Sequence, residues 1–420
     1  MAKKKSPYKK ILLESSENCI GKNRKKNIYI CHTGCADEVI PETERIISKT
    51  QEEKSMKNQK LRPKKVTAFV LALAMLSVSC SSRKNEEGSL SFNIAVTASK
   101  IVNPLIQIAE EKGYFSEYNF KPKYTTLEMI GTPEALIAGK LDASYAQVIP
   151  PVSYGAQGAS VKIFAGTLSG GMETICRKED AEKLRNLENW KGKKIGVIHL
   201  STAEMVSKAS LGKNYGYDIK NDLSYQLIDG YPAITTAVAK GNIDIGFISS
   251  EYLEAAVSLG LERLFPLTRL EKDYVCCRQY AYAPTFEENR PAFKAYLKGQ
   301  IRAYRDYSLF PDESIGSLAR LTGEDVDYIA RYIYDRESNG DRSYNPDPNY
   351  NGVLSIYEIL TGWKYIEANA PLESFFDIGL YAESLKEVIE EFPDEVFYRN
   401  MWDYFLKNND RHPSFNYKPL

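Results

Sequence analysis

Two α/β lobes enclosing one cleft, followed by a helical C-terminal region, is the architecture this sequence predicts. A repeat is the first observation behind it. ALIAGKLDASYAQ at 135–147 and AVAKGNIDIGFIS at 237–249 run in parallel 102 residues apart. Gly139 and Gly241, Asp142 and Asp244, and the closing Gly158 and Gly260 keep the same spacing without a gap. Each copy reads as a helix end, a glycine stop, a buried apolar strand and a second helix. The second observation is strand–helix alternation in two series, on either side of the glycine-rich GTLSGG at 166–171. The third is a change of pattern past Arg290, where helical periods and tyrosines dominate. A single sheet using the same joint twice would give the same repeat. Two lobes would instead place the strand ends of each opposite the other, where ligands of open α/β sheets bind.

In chain order, residues 92–96 read as a strand and 103–112 as a helix. Residues 121–126 read as a second strand, and Thr132 with Pro133 opens the next helix. After the first repeat unit, residues 161–165 form a strand that ends at the glycine-rich turn. The second series begins with an extended segment at 174–177 and a turn and strand at 190–198. Ser201 and Glu204 then stand at capping-box spacing before a helix. A strand at 223–228 and a helix at 234–240 lead into the second unit, and residues 274–281 alternate like a strand.

The chain has 420 residues, enough for two or three domains, and 43% of them are hydrophobic, which suffices for a core. Net charge is zero but uneven. Residues 1–65 hold 17 Lys/Arg against 8 Asp/Glu, leaving 38 against 47 in the remainder. That mildly acidic body, with its cations scattered, argues against nucleic acid as a partner. Of seven cysteines only Cys176, Cys276 and Cys277 lie in the body, so the chain is not a disulfide scaffold.

An export signal is expected to begin at Met56. Residues 56–65 are basic, and the apolar run 66–78 is too short to span a bilayer but suits a signal core. It ends in Leu76, Ser77, Val78 and Ser79 before Cys80. This resembles a bacterial lipoprotein signal, in which the cysteine is lipidated and becomes the first mature residue. Ser77 departs from that pattern, which has an aliphatic residue three places before the cysteine. The expected division is an upstream segment at 1–55, a signal at 56–79 and a polar tether at 80–89. The first part of lobe 1 follows at 90–170, lobe 2 at 171–283, and a return to lobe 1 with the helical region at 284–420. Cys31, His32 and Cys35 form one isolated metal-like pair, too little for zinc.

The order of these elements, LIAGKLD at 136–142, KGKKIGV at 191–197, Ser201 to Ala203 and VAKGNID at 238–244 resemble one family. It is that of the solute-binding proteins of ABC importers of the nitrate, taurine and aliphatic-sulfonate type, a superfamily shared with proteins that bind thiamine-pyrimidine precursors. The resemblance covers about residues 90–309, with a weaker tail to 384. It implies a type II periplasmic-binding-protein-like fold with a hinge and a ligand cleft. It also implies a small-molecule solute, ABC permease subunits as partners, and no cofactor or metal. With the signal, it implies a monomer anchored by lipid on the extracytoplasmic face of a bacterial cell membrane.

In that reading the pocket is lined by loops at strand ends. The first lobe offers Ser99, Asn103, Gln147, Ser169 and Gly170. The second offers Ser201, Thr202, Ala203, Asp229, Ser249, Ser250 and Glu251. The helix opening at Ser201 carries free backbone N–H groups that suit an anion, although Ser201 would serve equally as a plain cap. Glu251 left unpaired in the cleft would disfavour small anions; capping a helix, it would say nothing. Cys276 and Cys277 lie where the pyrimidine-synthase branch carries a cysteine-rich patch, and they read as buried small hydrophobes, with a vicinal disulfide or a hinge contact as the alternatives. Arg278 reads as a hinge salt bridge, with a contact to an anionic ligand as the alternative. No catalytic constellation is visible: His32, His199 and His412 lack triad partners in their motifs, and no hydrolase, zincin or P-loop pattern occurs. A binding protein rather than an enzyme is therefore expected. The alternatives are an exported enzyme related to thiamine-pyrimidine synthases and a sensory solute-binding module.

Overall fold

The computed structural model describes residues 88–96, 103–127, 132–272 and 274–420. The expected upstream segment and export signal, Cys80 and Ser99 lie outside the described residues. The strands, in chain order, are β1 (Asn93–Val96), β2 (Lys123–Thr126), β3 (Ala143–Gln147), β4 (Val161–Gly166), β5 (Leu168–Ser169) and β6 (Met172–Arg177). They continue as β7 (Lys194–Val197), β8 (Ser224–Leu227), β9 (Ile245–Ser249), β10 (Leu261–Pro266), β11 (Cys277–Tyr282) and β12 (Ser343–Tyr344).

Two five-stranded sheets result, one in the order β2-β1-β3-β11-β4 and the other in the order β10-β6-β9-β7-β8. The two repeat units therefore belong to different sheets. In each sheet two parallel pairings, β1 with β2 and β3 or β7 with β8 and β9, meet one antiparallel strand, β11 or β6. The chain crosses between the sheets twice, from β4 to β6 and from β10 to β11. The crossings bond to each other, through Cys276 N–H to Leu168 O and Gly170 N–H to Tyr274 O. This is the two-lobed, hinged fold expected from the sequence.

The repeat joints are alike in atomic detail. Gly139 and Gly241 take φ of +69° and +73°, a region that an L side chain strains to enter. Asp142 Oδ2 accepts from Asn93 N–H at 2.7 Å, and Asp244 Oδ2 accepts from Lys194 N–H at 2.9 Å. An aspartate beside a turn commonly bonds backbone N–H groups of that turn. Each of these two instead pins the first N–H of the neighbouring strand, and so fixes the register of β3 on β1 and of β9 on β7.

Apolar burial holds each lobe. Phe92 stacks on Phe293 with centroids 4.2 Å apart, and Phe115, Phe120 and Tyr296 surround them. Fully burying one such ring contributes roughly 1.5–3 kcal/mol. In the second lobe Trp190 stacks on Phe265 and donates its Nε1–H to Leu184 O at 2.8 Å. Ile234 and Val238, on the helix Tyr231–Ala239, pack with Ile175, Ile243 and Ile248.

The C-terminal region begins with the helix Arg290–Leu309, whose Lys294 and Lys298 pair with Glu383, Glu387 and Glu391 of the helix Gly379–Glu391. Residues 332–349 then run as an irregular strap over the hinge. β12 pairs antiparallel with β5, Gly166 N–H donates to Pro346 O at 2.9 Å, and Asn345 N–H donates to Thr167 O at 3.1 Å. Among the described residues no helix is long and apolar enough to cross a membrane.

Candidate functional site

β9 ends at Ser249 and passes into a tight turn over Ser250–Tyr252. The strap reaches this strand end and places a buried Arg342 on it. Arg342 Nε donates to Ser250 Oγ at 2.9 Å and Nη2 donates to Ser249 Oγ at 3.2 Å. Nη1 donates to the Tyr332 hydroxyl, which in turn donates to Glu251 Oε2 at 3.0 Å. Burial raises the Tyr332 phenol well above its usual range, so it stays protonated and can accept from one side while donating to the other. Glu251 itself is exposed. Among the described residues no carboxylate pairs directly with the guanidinium.

The N-terminus of the helix Thr202–Tyr215 approaches the same hinge. Ser201 Oγ accepts from Glu204 N–H at 3.2 Å, while Glu204 Oε2 reaches back to Leu200 N–H at 2.6 Å. Ser201 is thus engaged as the helix cap, the alternative that its spacing left open. Thr202 is buried against the Cys276 thiol, and Ala203 is packed in the apolar core. Cys277 Sγ donates to Cys276 Sγ at 3.7 Å, so the vicinal pair is reduced and buried. That bond, the Arg342 charge and the Thr202 hydroxyl bring the Cys276 thiol below its usual range against the effect of burial. Arg278 does not form the expected hinge salt bridge among the described residues. It is buried and donates to Pro348 O at 2.9 Å and Cys277 O at 2.7 Å, which ties the strap to β11.

The other sequence candidates fall into two groups. Ser169 pairs in register with Ser343, and Gly170 lies under the Asp341 carbonyl; both line a cavity of about 280 Å³ beside the hinge with Thr268, Arg269 and Arg336. Gln147 ends β3 opposite Cys277 and is half-buried. Asn103 is fully buried at the start of the helix Pro104–Glu111, and its side-chain amide has no partner among the described residues. Asp229 is exposed just before the helix Tyr231–Ala239. The strand ends therefore bring Ser169, Gly170, Ser249, Ser250 and Glu251 together around the strap.

Sequence reasoning missed Tyr332, Arg342, Tyr344 and Tyr231. Tyr344 is fully buried, and Tyr231 lies near Cys276 and Glu251 with its phenol raised by burial. One signal for Arg342 was available: SNGDRSYNPDPN at 338–349 is a dense run of turn formers holding a single arginine. A separate groove of about 930 Å³ lies away from the strand ends, lined by Lys208, Tyr217, Tyr225, Trp363 and Tyr365. Among the described residues no group of three His, Cys, Asp or Glu side chains is placed to hold a metal ion.

Comparison with known proteins places this geometry in a fold. The chain is similar to the ligand-binding component of an ABC-type import system from Staphylococcus aureus, solved with zinc bound, at 15% identity and a TM-score of 0.56 over 70% of this chain and 99% of that one. It is similar to the periplasmic aliphatic sulphonate-binding protein SsuA of Escherichia coli at 18% identity and a TM-score of 0.52, over 66% and 88%. The periplasmic nitrate-binding protein NrtA of Synechocystis PCC 6803 matches at 15% identity and a TM-score of 0.56, over 72% and 90%. At such identities the likeness is one of fold. No curated protein sequence matches the chain. The family described as NMT1/THI5-like matches residues 104–314, half of the chain and the greater part of both lobes, and this protein belongs to that family.

Proposed function

We propose that this protein is the extracytoplasmic solute-binding component of an ABC importer, anchored by lipid at Cys80. It captures a small solute between its lobes and delivers it to a membrane permease. The solute is a sulfonate, nitrate or a nitrogenous compound like the thiamine pyrimidine. The observation that carries this reading is the convergence at one hinge of both crossings, the β9 end and the N-terminus of the helix Thr202–Tyr215. Such a helix end offers N–H groups without intrahelical partners, and a hinge between lobes lets them close on a solute. The sulphonate- and nitrate-binding proteins that share the fold support it, as does the signal-like stretch at residues 56–79.

Two serine/threonine variants test the helix end. Removing one neutral hydrogen bond costs about 0.5–1.5 kcal/mol, so Thr202→Ala should weaken solute binding roughly three- to tenfold, beyond a loss of about 1 kcal/mol in the stability of the free protein that follows from the burial of Thr202. Ser201→Ala should lower stability by about 1 kcal/mol through loss of the cap, with a smaller effect on affinity. Calorimetry with solute recovered from denatured wild-type protein and added back measures both. Unchanged affinity in Thr202→Ala would place the solute elsewhere.

A further inference from the structure

The strap that carries Arg342 begins beyond residue 314, where the family match ends. The guanidinium at the hinge therefore comes from outside the stretch that the family model matches. Arg342 is 5% exposed, and three of its nitrogens donate to hydroxyls, on Ser249, Ser250 and Tyr332. Hydroxyls orient a guanidinium but do not neutralise it. Its nearest carboxylate in the bonded chain, Glu251, is separated by the Tyr332 hydroxyl and is itself exposed to solvent. A buried cation without a direct counter-charge is costly to maintain, and an anion of matching geometry removes that cost. Arginine suits the task because its planar fork meets two oxygens of one oxyanion and keeps its charge at every working pH.

The surroundings point the same way. Gly171 lies against the guanidinium, where a Cβ would come within 3.3 Å of Nε, so the backbone there leaves room for the head group. The Arg342 charge is felt by the Cys276 thiol, which also meets Thr202 at the first turn of the 14-residue helix. A helix N-terminus adds a positive potential to that of the guanidinium. Glu251 accepts from Tyr332 and is exposed, so solvent screens its charge.

We infer that Arg342, supplied by the C-terminal strap, is the charge-selecting residue of the cleft, and that the solute carries an oxyanion, a carboxylate or sulfonate, that pairs with it. This deepens the solute-binding reading and rests on it. Ser249, Ser250 and Tyr332 act as positioning residues that aim the fork.

The test is a calorimetric and thermal-shift panel on the full mature chain. The probes are ethanesulfonate, taurine, acetate, succinate and nitrate, set against choline and a neutral aminopyrimidine. Wild-type protein should be stabilised by oxyanions and not by choline or the aminopyrimidine. Arg342→Met, which keeps most of the apolar stem and removes the guanidinium, should lose roughly 10- to 100-fold in affinity for the best oxyanion. Arg342→Lys should recover part of that loss, and its affinity should be the more sensitive to salt. Ser249→Ala, which leaves the strap bonded through Ser250 and Tyr332, serves where Arg342→Met fails to fold, and should weaken the oxyanion by a smaller factor. Stabilisation by choline or the aminopyrimidine alone, or undiminished oxyanion binding in Arg342→Met, would overturn the inference while leaving solute binding intact. If no probe binds and no small molecule accompanies the purified protein, solute binding itself fails, and this inference with it.

Discussion

Gly166→Ala is expected to destabilise the protein by about 3 kcal/mol or more. A Cβ on Gly166 would overlap the carbonyl oxygens of Asn345 and Asp347. These are backbone atoms and cannot swing aside as a flexible side chain does. Overpacking a well-filled site typically costs about 1–3 kcal/mol, and more when the backbone must move. The strap would have to lift from β4, breaking the Gly166 N–H bond to Pro346 O and straining the β12–β5 pair beside it. Urea unfolding of Gly166→Ala should show a lower midpoint. Gly362→Ala is the control, because an added methyl there meets nothing within 4 Å. Equal midpoints for wild type and Gly166→Ala would mean that the strap does not lie on β4.

The second large effect is a pH dependence with the reverse of the usual carboxylate sign. Asp347, buried on the strap, accepts from Asn349 N–H at 2.8 Å and from Asn409 Nδ2 at 3.1 Å. Burial outweighs these bonds and the nearby Arg278 charge, and pushes its carboxyl up from 3.8 to about 7. Between these values the folded protein holds a proton that the unfolded chain has released. Stability from this group is therefore fully present below about pH 4 and is lost as pH rises toward 7. At about 1.4 kcal/mol per pKa unit, the loss across that window is on the order of 4 kcal/mol. Asp347→Asn mimics the protonated form and should remove the component. Other carboxylates titrate in the same range, so the decisive quantity is the difference between wild type and Asp347→Asn, measured by chemical unfolding from pH 4.5 to 7.5. Asp347→Asn should gain on wild type as pH rises. A constant difference would show that Asp347 ionises at its ordinary value.

The repeat made the two lobes legible because each joint is a local device: a helix stop at Gly139 or Gly241 and an aspartate three residues on. The cap formed by Ser201 and Glu204 was legible for the same reason. What the aspartates do was not, since Asn93 and Lys194 lie about fifty residues away and only strand pairing brings them near. Distance in sequence also hid the strap. Arg342 meets Ser250 across 92 residues, from a segment without helical or strand period, and Tyr332 meets Glu251 across 81. Tyrosines at helical spacing past Arg290 suit either a core or a cleft; Tyr296 is core, while the hydroxyl of Tyr332 bonds Arg342 and Glu251. The serines at the end of β9 were legible as candidates because the repeat made them equivalent to Gln147. Their partner was not.

A crystal structure of the mature protein with the solute that it carries through purification is the most direct test of solute capture at the hinge. Density for a small molecule is expected between the lobes, within hydrogen-bond distance of the first turn at Thr202 and of Arg342 or Ser249. A molecule seated instead in the groove between Lys208, Tyr225 and Trp363, with the hinge empty, would contradict it.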